Sequence, residues 1–250
     1  MSDAFDWDSF QPAFAIEAQR HGFLREDLLQ TGAGALSAWT RADPGPVVYL
    51  SAGIHGDEPA GPLALLAWLR AGGCRAGVHW RICPALNPHG LAIGARGNAA
   101  GADLNRDYRT RMTDEISAHA AWLERGPLPA LFVSLHEDWE AQGFYLYEIN
   151  LGEDDPLQAE RILSAVDPWF PRHGGDDIDG HVPRAPGWIF HEAEPDLADG
   201  WPEAIHLAKL GCPLSFTFET PSGAALSDRV GALEAALQTT LRFLPEGRCD

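Results

Sequence analysis

The sequence predicts an α/β fold, specifically a single-domain three-layer sandwich with a mixed, mostly parallel central sheet and helices on both faces. Short apolar runs, typical of buried strands, alternate along the chain with segments of helical apolar spacing. The 250 residues, 45% of them hydrophobic, can form one substantial core. Neither a repeat nor a low-complexity linker divides the chain. We therefore predict one domain over residues 1–250.

For the first third of the chain, the sequence predicts a helical region, a strand, a helix and a second strand, in that order. Residues 5–30 carry apolar positions at mixed spacing, which we interpret as one or two short helices. Val47–Ala52 is a continuous apolar run and predicts a buried strand. Helical spacing over residues 62–69 is followed by a second strand over Val78–Ala85. That strand is predicted to end in a turn at residues 87–90.

The middle of the chain predicts a long loop and then three regular elements. Residues 91–110 are rich in glycine and predict the loop. Thr113–Arg125 predicts a helix with Thr113 as its N-cap. Leu131–Leu135 and Phe144–Ile149 follow as predicted strands.

The last third contains the longest stretch without a clear pattern. A helix is predicted over Asp155–Val166, a strand over Leu214–Phe218 and a closing helix over Leu226–Phe243. Between the first two lie residues 167–202, which are rich in Pro, Gly and Asp. A loop of this length in a compact domain is usually functional, so we expect it to contribute to a binding site.

Charge and cysteine usage exclude several kinds of partner and location. The net charge of −18 disfavours binding to nucleic acid or to anionic membranes. We find no signal-peptide pattern and no apolar run long enough for a membrane span. The cysteines are far apart and form no Cys-x-x-Cys pair, so we expect buried or free thiols and a cytoplasmic protein. They are Cys74, Cys83, Cys212 and Cys249.

Polar side chains that follow two of the predicted strands form a candidate metal site. His55 and Glu58 lie at a strand-to-helix corner, and His136 ends a different strand. In open α/β sheets, ligands bind beyond the carboxyl ends of the strands. Two imidazoles and one carboxylate leave a coordination position open on tetrahedral Zn²⁺, as in catalytic zinc sites. The sequence therefore predicts a zinc ion held by His55, Glu58 and His136.

Three further side chains complete a hydrolytic site. Glu219, at the end of a predicted strand, is the candidate general base, because hydrolysis at zinc needs a carboxylate that accepts a proton from water. Arg96 and Arg106 lie in the glycine-rich loop. They are candidates to stabilise a developing oxyanion and to hold an anionic end of the substrate.

The order of these motifs resembles that of the zinc metallocarboxypeptidases. This family includes bacterial murein-peptide amidases and the aspartoacylase-like and succinylglutamate desuccinylase-like deacylases. The resemblance extends from about residue 47 to residue 220 and rests on five segments. These are Gly53–Glu58, Asn87–Gly90, Gly101–Arg106, Ser134–His136 and Phe216–Glu219.

The resemblance implies a role for each candidate residue. His55, Glu58 and His136 would be the zinc ligands, and Glu219 would be the general base. Arg96 matches the arginine that stabilises the oxyanion. Asn105 and Arg106 match the pair that binds the terminal carboxylate of the substrate.

The sequence departs from the family in one functional position. Secreted digestive members have a tyrosine that caps the active site, well after the third zinc ligand. No tyrosine occurs in residues 167–202 here. The cap is therefore missing or replaced, with Trp188 or His191 as candidates, and the departure concerns specificity rather than zinc chemistry.

Three functions remain in competition after the sequence has been considered. The first is a zinc-dependent metallopeptidase that cleaves an amide bond next to a free carboxylate in a small peptide. The second is an N-acyl amino acid deacylase, which would use the same zinc and base. The third is a metal-binding protein without catalysis, which the presence of Glu219 disfavours. A serine hydrolase is not expected, since no Gly-x-Ser-x-Gly motif occurs.

Overall fold

The computed structural model describes residues 5–244, which form one eight-stranded sheet with helices on both faces. The predicted fold class is confirmed. The strands are β1 (Leu24–Thr31), β2 (Gly34–Arg41), β3 (Val47–Ala52), β4 (His79–Cys83), β5 (Leu131–Asp138), β6 (Tyr145–Asn150), β7 (Trp188–Phe190) and β8 (Leu214–Pro221).

The strand order across the sheet is β1-β2-β4-β3-β5-β8-β6-β7. The central strands β4, β3, β5 and β8 are parallel to one another, and β7 is parallel to β6. The pairs β1–β2, β2–β4 and β6–β8 are antiparallel. The sheet is thus mixed, with its parallel strands in the interior, where both faces are covered.

Two layers of helices enclose this sheet. Apolar residues of α1, α2, α5 and α7 share one core with alternate residues of the central strands, and those of α4 and α6 pack against the opposite face. The helices are α1 (Trp7–Arg20), α2 (Ala60–Arg70), α3 (Pro88–Ile93), α4 (Asp114–Arg125), α5 (Pro156–Val166), α6 (Glu203–Leu210) and α7 (Leu226–Leu241). A single 3-10 turn covers Leu104–Arg106.

Several helices begin where a side chain satisfies a free backbone N–H. The Thr113 hydroxyl accepts a hydrogen bond from the N–H of Ile116, as the predicted N-cap of α4. Asp6 and Asp155 cap α1 and α5 in the same way. Asn87 caps α3 through the N–H of Gly90. Residues 87–90 therefore start a short helix at the predicted turn.

The order of the central strands creates a crevice between β3 and β5. The chain runs from β3 to β4 on one side and later returns to β5 on the other side of β3. Connections that leave in opposite directions open a crevice at the carboxyl ends of the two strands. His55 follows β3, and His136 lies near the end of β5. The topology therefore brings distant parts of the sequence to one edge.

A buried hydrogen-bond network occupies the face of the sheet that α4 and α6 cover. We call it the Glu203 network, after the first residue of α6. The Glu203 carboxyl accepts hydrogen bonds from Tyr49 Oη and Ser51 Oγ, both at 2.7 Å. His119 joins it through both ring nitrogens, each 2.8 Å from a tyrosine hydroxyl of Tyr49 or Tyr108. All five residues are buried.

Three regions differ from the sequence-based expectations. Residues 24–30 were expected to be helical, but they belong to β1, which forms a hairpin with β2. Much of β1 is exposed, so its apolar residues carry no clear period of two. The region 167–202 contains the three-residue strand β7, and α6 follows it without having been predicted.

Residues 5–244 include three of the four cysteines and all of the described helices. Cys74, Cys83 and Cys212 are free thiols, and the last two are buried. Cys249 lies outside the described residues. Within that part of the chain, every helix is too short or too polar to cross a membrane.

Candidate metal centre

Glu58 lies between two imidazole rings at the carboxyl edge of the sheet. Its Oε1 atom is 2.6 Å from His55 Nδ1, and its Oε2 atom is 2.9 Å from His136 Nδ1. All three side chains are buried. One potential ligand atom from each lies within 4.8 Å of the others. The structure thus brings together the three predicted metal ligands.

Backbone and side-chain partners fix the orientation of these groups. The N–H of Glu137 on β5 donates to Glu58 Oε2 at 3.2 Å. His55 Nε2 lies 3.2 Å from the Asp103 carboxylate. An imidazole whose second nitrogen contacts a carboxylate is held in one ring orientation, as metal-bound histidines commonly are. Asp103 lies in the segment Gly101–Arg106, one of the five segments on which the family resemblance rests.

Two glycines allow the loop that carries His55 to pack closely against α3. A Cβ atom on Gly56 would lie 1.9 Å from the carbonyl carbon of Gly90. The N–H of Gly56 also donates to the Arg96 carbonyl. Any side chain at Gly56 would push the two backbones apart. The glycines of the His55-Gly56 and His89-Gly90 motifs therefore place the metal-site loop next to the loop that contains Arg96.

The charges of the centre reinforce one another. Burial alone would lower the pKa of His55, but the carboxylates of Glu58 and Asp103 outweigh it and raise the pKa to about 9. Burial would likewise raise the pKa of Glu58, yet the two imidazoles lower it to about 2. Glu58 is thus held as a carboxylate, the form that binds cations.

Glu219 lies beside the three candidate ligands. It is the register partner of His136 on the neighbouring parallel strand β8 and of Tyr145 on β6. Its side chain lines the cavity and is partly exposed there. Burial and the nearby carboxylate of Glu58 raise the pKa of Glu219, against the effect of His136. A carboxyl group with a raised pKa is suited to accept and return a proton.

Arg96 lies against the centre, and Arg106 lies further out. Arg96 Nη1 is 3.5 Å from Glu58 Oε1, and its Nε and Nη2 atoms donate to Asp103 Oδ2 at 3.2 and 3.1 Å. Arg106 is exposed and donates to the carbonyl oxygen of Asn105. Both guanidinium groups line the same cavity as the candidate ligands.

Asn105 connects the cavity to α6. Its Oδ1 atom accepts a hydrogen bond of 2.9 Å from the N–H of Glu203, the first residue of that helix. Asn105 also lines the cavity next to Arg106. The 3-10 turn that contains both residues is therefore anchored to the helix layer and not suspended as a free loop.

Glu137 braces the centre from behind. Its carboxyl group accepts a hydrogen bond of 2.7 Å from the N–H of Ala60 at the start of α2 and forms an ion pair with Arg229 of α7. Burial raises its pKa to about 7 despite the Arg229 charge. Of the two acidic residues that follow His136, Glu137 is thus a buried support, and Asp138 accepts a hydrogen bond from the Tyr145 hydroxyl.

A cavity of about 620 Å³ opens above these residues. This volume is within the range of small-molecule sites. One wall is formed by the candidate ligands, Glu219, and the two arginines. The opposite wall comes from β6 and from the segment 178–197, and its polar members are Tyr147, Asp179, His181, His191 and Asp196.

The two candidates for a replaced cap residue differ in position. Trp188 is buried in the main core and packs with residues of α5 and β6. His191 lines the cavity, where its ring lies 4.9 Å from that of His181. Of the two candidates, His191 is therefore the one that lines the cavity.

Several contacts of the centre were not predicted. Asp103, Arg229 and Tyr147 lie near the centre only because of the tertiary fold. For Asp103 a signal existed, since it belongs to the segment next to Asn105 and Arg106. No local pattern marks Arg229, which is one of several charges on an amphipathic helix.

The donor set fits a zinc ion. Two imidazole Nδ1 atoms converge on one carboxylate in a buried site, and the three residues come from two different strand ends. Imidazole nitrogen together with a carboxylate oxygen is a donor combination of catalytic zinc sites. Among residues 5–244, this set is the more deeply buried of two histidine–carboxylate groups with metal-binding spacing.

Several known proteins are similar to this chain in sequence or structure. Residues 44–126 match the model of the succinylglutamate desuccinylase/aspartoacylase catalytic domain. Candidate metallopeptidases from Shewanella denitrificans and Shewanella amazonensis superpose with TM-scores of 0.82. They share 25% and 27% sequence identity with this chain, covering 96% of it and 90% and 94% of their own chains. The chain is thus similar to metallopeptidases over almost its whole length and to the desuccinylase/aspartoacylase catalytic domain over residues 44–126.

Proteins of lower overall similarity share the fold or a short segment of the sequence. A metallo-carboxypeptidase from Burkholderia cenocepacia has the same fold, with a TM-score of 0.69 at 18% identity, and the match covers 96% of this chain and 69% of that one. Carboxypeptidase SOL1 of Arabidopsis thaliana is 41% identical over 66 residues. That segment spans only 22% of this chain and 13% of the plant protein.

Proposed function

We propose that this protein is a zinc-dependent hydrolase that cleaves a peptide or other amide bond next to a free carboxylate. His55, Glu58 and His136 hold the zinc, and Glu219 is the general base. The observation that supports this most is the placement of Glu219 on the strand beside His136, facing the cavity above the buried Glu58 carboxylate. The ligand group and a proton acceptor thus share one wall of one cavity.

Each side chain has a defined task in this reaction. When bound, zinc supplies a Lewis acid that lowers the pKa of water to about 7 and polarises a carbonyl group. Glu219 accepts the proton of the attacking water and delivers it to the leaving amine. Arg96, which lies next to Glu58, stabilises the negative charge that develops on the carbonyl oxygen.

Arg106 and Asn105 select the substrate. The Arg106 guanidinium is always charged and can bind a carboxylate through two parallel hydrogen bonds. Asn105 sets its position, because its own side chain is tied to the first N–H of α6. Bound in this way, the carboxylate of a substrate holds the neighbouring amide bond in the cavity that contains Glu219.

Two substrate classes present this arrangement. A small peptide has a terminal carboxylate one residue from the scissile bond, and an N-acyl amino acid has the same carboxylate next to its acyl amide. The match of residues 44–126 to the desuccinylase/aspartoacylase catalytic domain favours keeping the deacylase as the second candidate. A bound carboxylate next to the scissile amide is common to both.

The role of Arg106 gives a direct test of the proposal. We expect Arg106→Ala to weaken kcat/KM for free-acid substrates by about 2–5 kcal/mol, the usual cost of removing one partner from a desolvated charge pair. The corresponding amides should be poor substrates of the parent enzyme, and the variant should barely change them. Dipeptides and N-acyl amino acids are compared, each as acid and as amide.

Arg109→Ala is the matched control for this test. Arg109 follows three residues later but contacts Asp199 and the Ala198 carbonyl outside the cavity. It should leave the ratio of acid to amide hydrolysis unchanged. If Arg106→Ala slows acid and amide substrates equally, with an unchanged melting temperature, the carboxylate-binding role is wrong.

A further inference from the structure

Beyond the proposed catalytic centre, a second group of metal-binding side chains lies on the opposite wall of the cavity. His181, His191 and Asp196 each offer one ligand atom, and these atoms lie within 4.8 Å of one another. The three residues belong to the segment 178–197, around β7, and not to the parallel strands that carry His55 and His136. Nothing in the reaction proposed above uses them.

His181 and His191 each approach one oxygen of Asp196 at an ion-pair distance that exceeds the length of a hydrogen bond and is compatible with a shared ion. His181 Nε2 lies 3.7 Å from Asp196 Oδ2, and His191 Nε2 lies 3.5 Å from Asp196 Oδ1. A hydrogen bond from nitrogen to oxygen normally spans about 2.7–3.2 Å. Ligands of a tetrahedral Zn²⁺ with bonds of about 2.1 Å lie about 3.4 Å apart. The group is spaced for an ion between its members.

One ring nitrogen of His191 has no hydrogen-bond partner among the described residues. Only 10% of its side-chain surface is exposed, and the unpartnered atom is the buried Nδ1. A buried polar atom without a partner is costly in free energy. Binding of a cation by Nδ1 would offset that cost, whereas binding through Nε2 would leave Nδ1 as an N–H donor without an acceptor.

The backbone around the group is well fixed. The N–H groups of Ile178 and His181 each donate to the other residue's carbonyl oxygen, at 2.9 and 3.0 Å, which closes a tight turn. The N–H of His191 donates to the Glu148 carbonyl on β6 at 2.8 Å. Two of the three ligand positions are therefore held in place before any ion binds, which lowers the entropy lost on binding.

The chemistry of the donors selects the class of ion. Imidazole nitrogens suit Zn²⁺, Cu²⁺ and Ni²⁺, whereas Mg²⁺ and Ca²⁺ prefer sites made of oxygen ligands alone. The Asp179 carboxylate is bound by the Tyr147 hydroxyl directly beside the two imidazole rings and adds negative charge. Both features favour a divalent transition-metal ion.

We propose that His181, His191 and Asp196 form a second binding site for a divalent transition-metal ion such as Zn²⁺, separate from the catalytic centre. An ion here would link the turn at residues 178–181 to the loop that contains Asp196. That link joins two parts of the segment 178–197, which lines the cavity together with Tyr147 and Glu219. The site would thus stabilise the entrance side of the cavity and not take part in the chemical step.

The test counts zinc ions bound by chelator-treated protein, using equilibrium dialysis and isothermal titration. The parent is expected to bind two equivalents, and His181→Ala and His191→Ala one equivalent each, because the two remaining side chains should hold the second ion too weakly to retain it in dialysis. His55→Ala should also bind one equivalent, held by the second group. The double variant His55→Ala/His191→Ala should bind none.

His21→Ala is the matched control, because His21 pairs with a single carboxylate, Glu17, at 3.4 Å and lacks a third ligand. It should bind two equivalents, and Mg²⁺ should not replace Zn²⁺ at the second site. A parent that binds one equivalent, or a His181→Ala variant that still binds two, would overturn the second site. If His55→Ala binds two equivalents instead, the catalytic ligand assignment is wrong while the second site stands.

Discussion

Two buried groups of histidine and glutamate lie on the same sheet, and they differ in how their polar atoms are satisfied. In the Glu203 network, each nitrogen of His119 contacts a tyrosine hydroxyl, and both Glu203 oxygens accept hydrogen bonds. In the candidate metal centre, both imidazoles direct Nδ1 to the single carboxylate of Glu58. That centre opens onto the cavity.

The difference shows why buried histidine and glutamate do not by themselves indicate a metal site. A group whose donors and acceptors match one another within the protein is a structural element, and an added ion would have to break those hydrogen bonds. A group in which two imidazoles share one carboxylate, next to open space, is arranged to receive a cation. The two regions therefore predict opposite outcomes for the same kind of substitution.

The largest expected contrast comes from removing one histidine from each region. His55→Ala and His136→Ala should lose the zinc ion of the catalytic centre and with it nearly all hydrolysis. His119→Ala should keep that zinc but unfold at a lower temperature, since it leaves the buried Tyr49 and Tyr108 hydroxyls short of a partner at about 1–3 kcal/mol each. Metal content after dialysis and thermal melting measure the two effects.

Equal zinc loss in all three variants would show that the Glu203 network and the candidate metal centre do not differ in their role in zinc binding. Retention of the catalytic zinc in both His55→Ala and His136→Ala would remove the assignment of these residues as ligands. The structure favours neither result, because His119 is fully enclosed by aromatic residues on the far face of the sheet.

The next contrast concerns two carboxyl groups on neighbouring strands. Glu219→Gln keeps the shape of the side chain and removes the proton acceptor, so zinc should remain while kcat falls by about 10²–10⁴-fold. Glu148→Gln on β6 is the matched control. It is buried but does not line the cavity, and its kcat should stay within a few-fold of the parent. A similar kcat for Glu219→Gln and the parent would mean that another group is the base.

The smallest expected effect is the pH dependence that arises from Glu203. Burial raises its pKa to about 7, against the hydrogen bonds from Ser51 and Tyr49. The folded state therefore keeps a proton between pH 4.5 and about 7 that the unfolded state has released, and stability must fall as pH rises through this range. The total loss is about 3 kcal/mol, at about 1.4 kcal/mol for each unit of pKa difference.

Glu203→Gln resembles the protonated carboxyl group and should lack this loss. Relative to the parent, the variant should gain stability steadily from pH 4.5 to pH 7 in urea unfolding. If the difference in stability between variant and parent is independent of pH, the carboxyl group of Glu203 titrates normally in the folded protein. That outcome would weaken the view that the network is closed to water.

Sequence patterns were sufficient for the centre of the fold and for the residues that the structure brings together in the candidate metal centre. The strands β3 and β5 are buried and begin as apolar runs, and β8 alternates Phe with Ser and Thr. Each of the three ends near a residue that lies at the cavity. The ligand set could be assigned because its residues sit at strand ends in a family order. The strand order then brings these residues together at one edge of the sheet.

The sheet edges and the far cavity wall could not be predicted in the same way. In β1 most side chains are exposed, so hydrophobic periodicity is weak and the hairpin with β2 stabilises it instead. The strand β7 is only three residues long. The group of His181, His191 and Asp196 depends on a turn and a loop whose approach is set by tertiary hydrogen bonds, and local sequence does not encode such distances.

The brace from Glu137 to Arg229 has a consequence for the timing of folding. The candidate ligands are complete once His136 has been synthesised, yet Glu219 and Arg229 come much later in the chain. Contacts between residues so far apart in sequence form slowly, because a long loop must close first. A nascent chain would therefore carry exposed metal-binding side chains before β8 and α7 arrive, and a tight catalytic site would appear only when the last helix has packed.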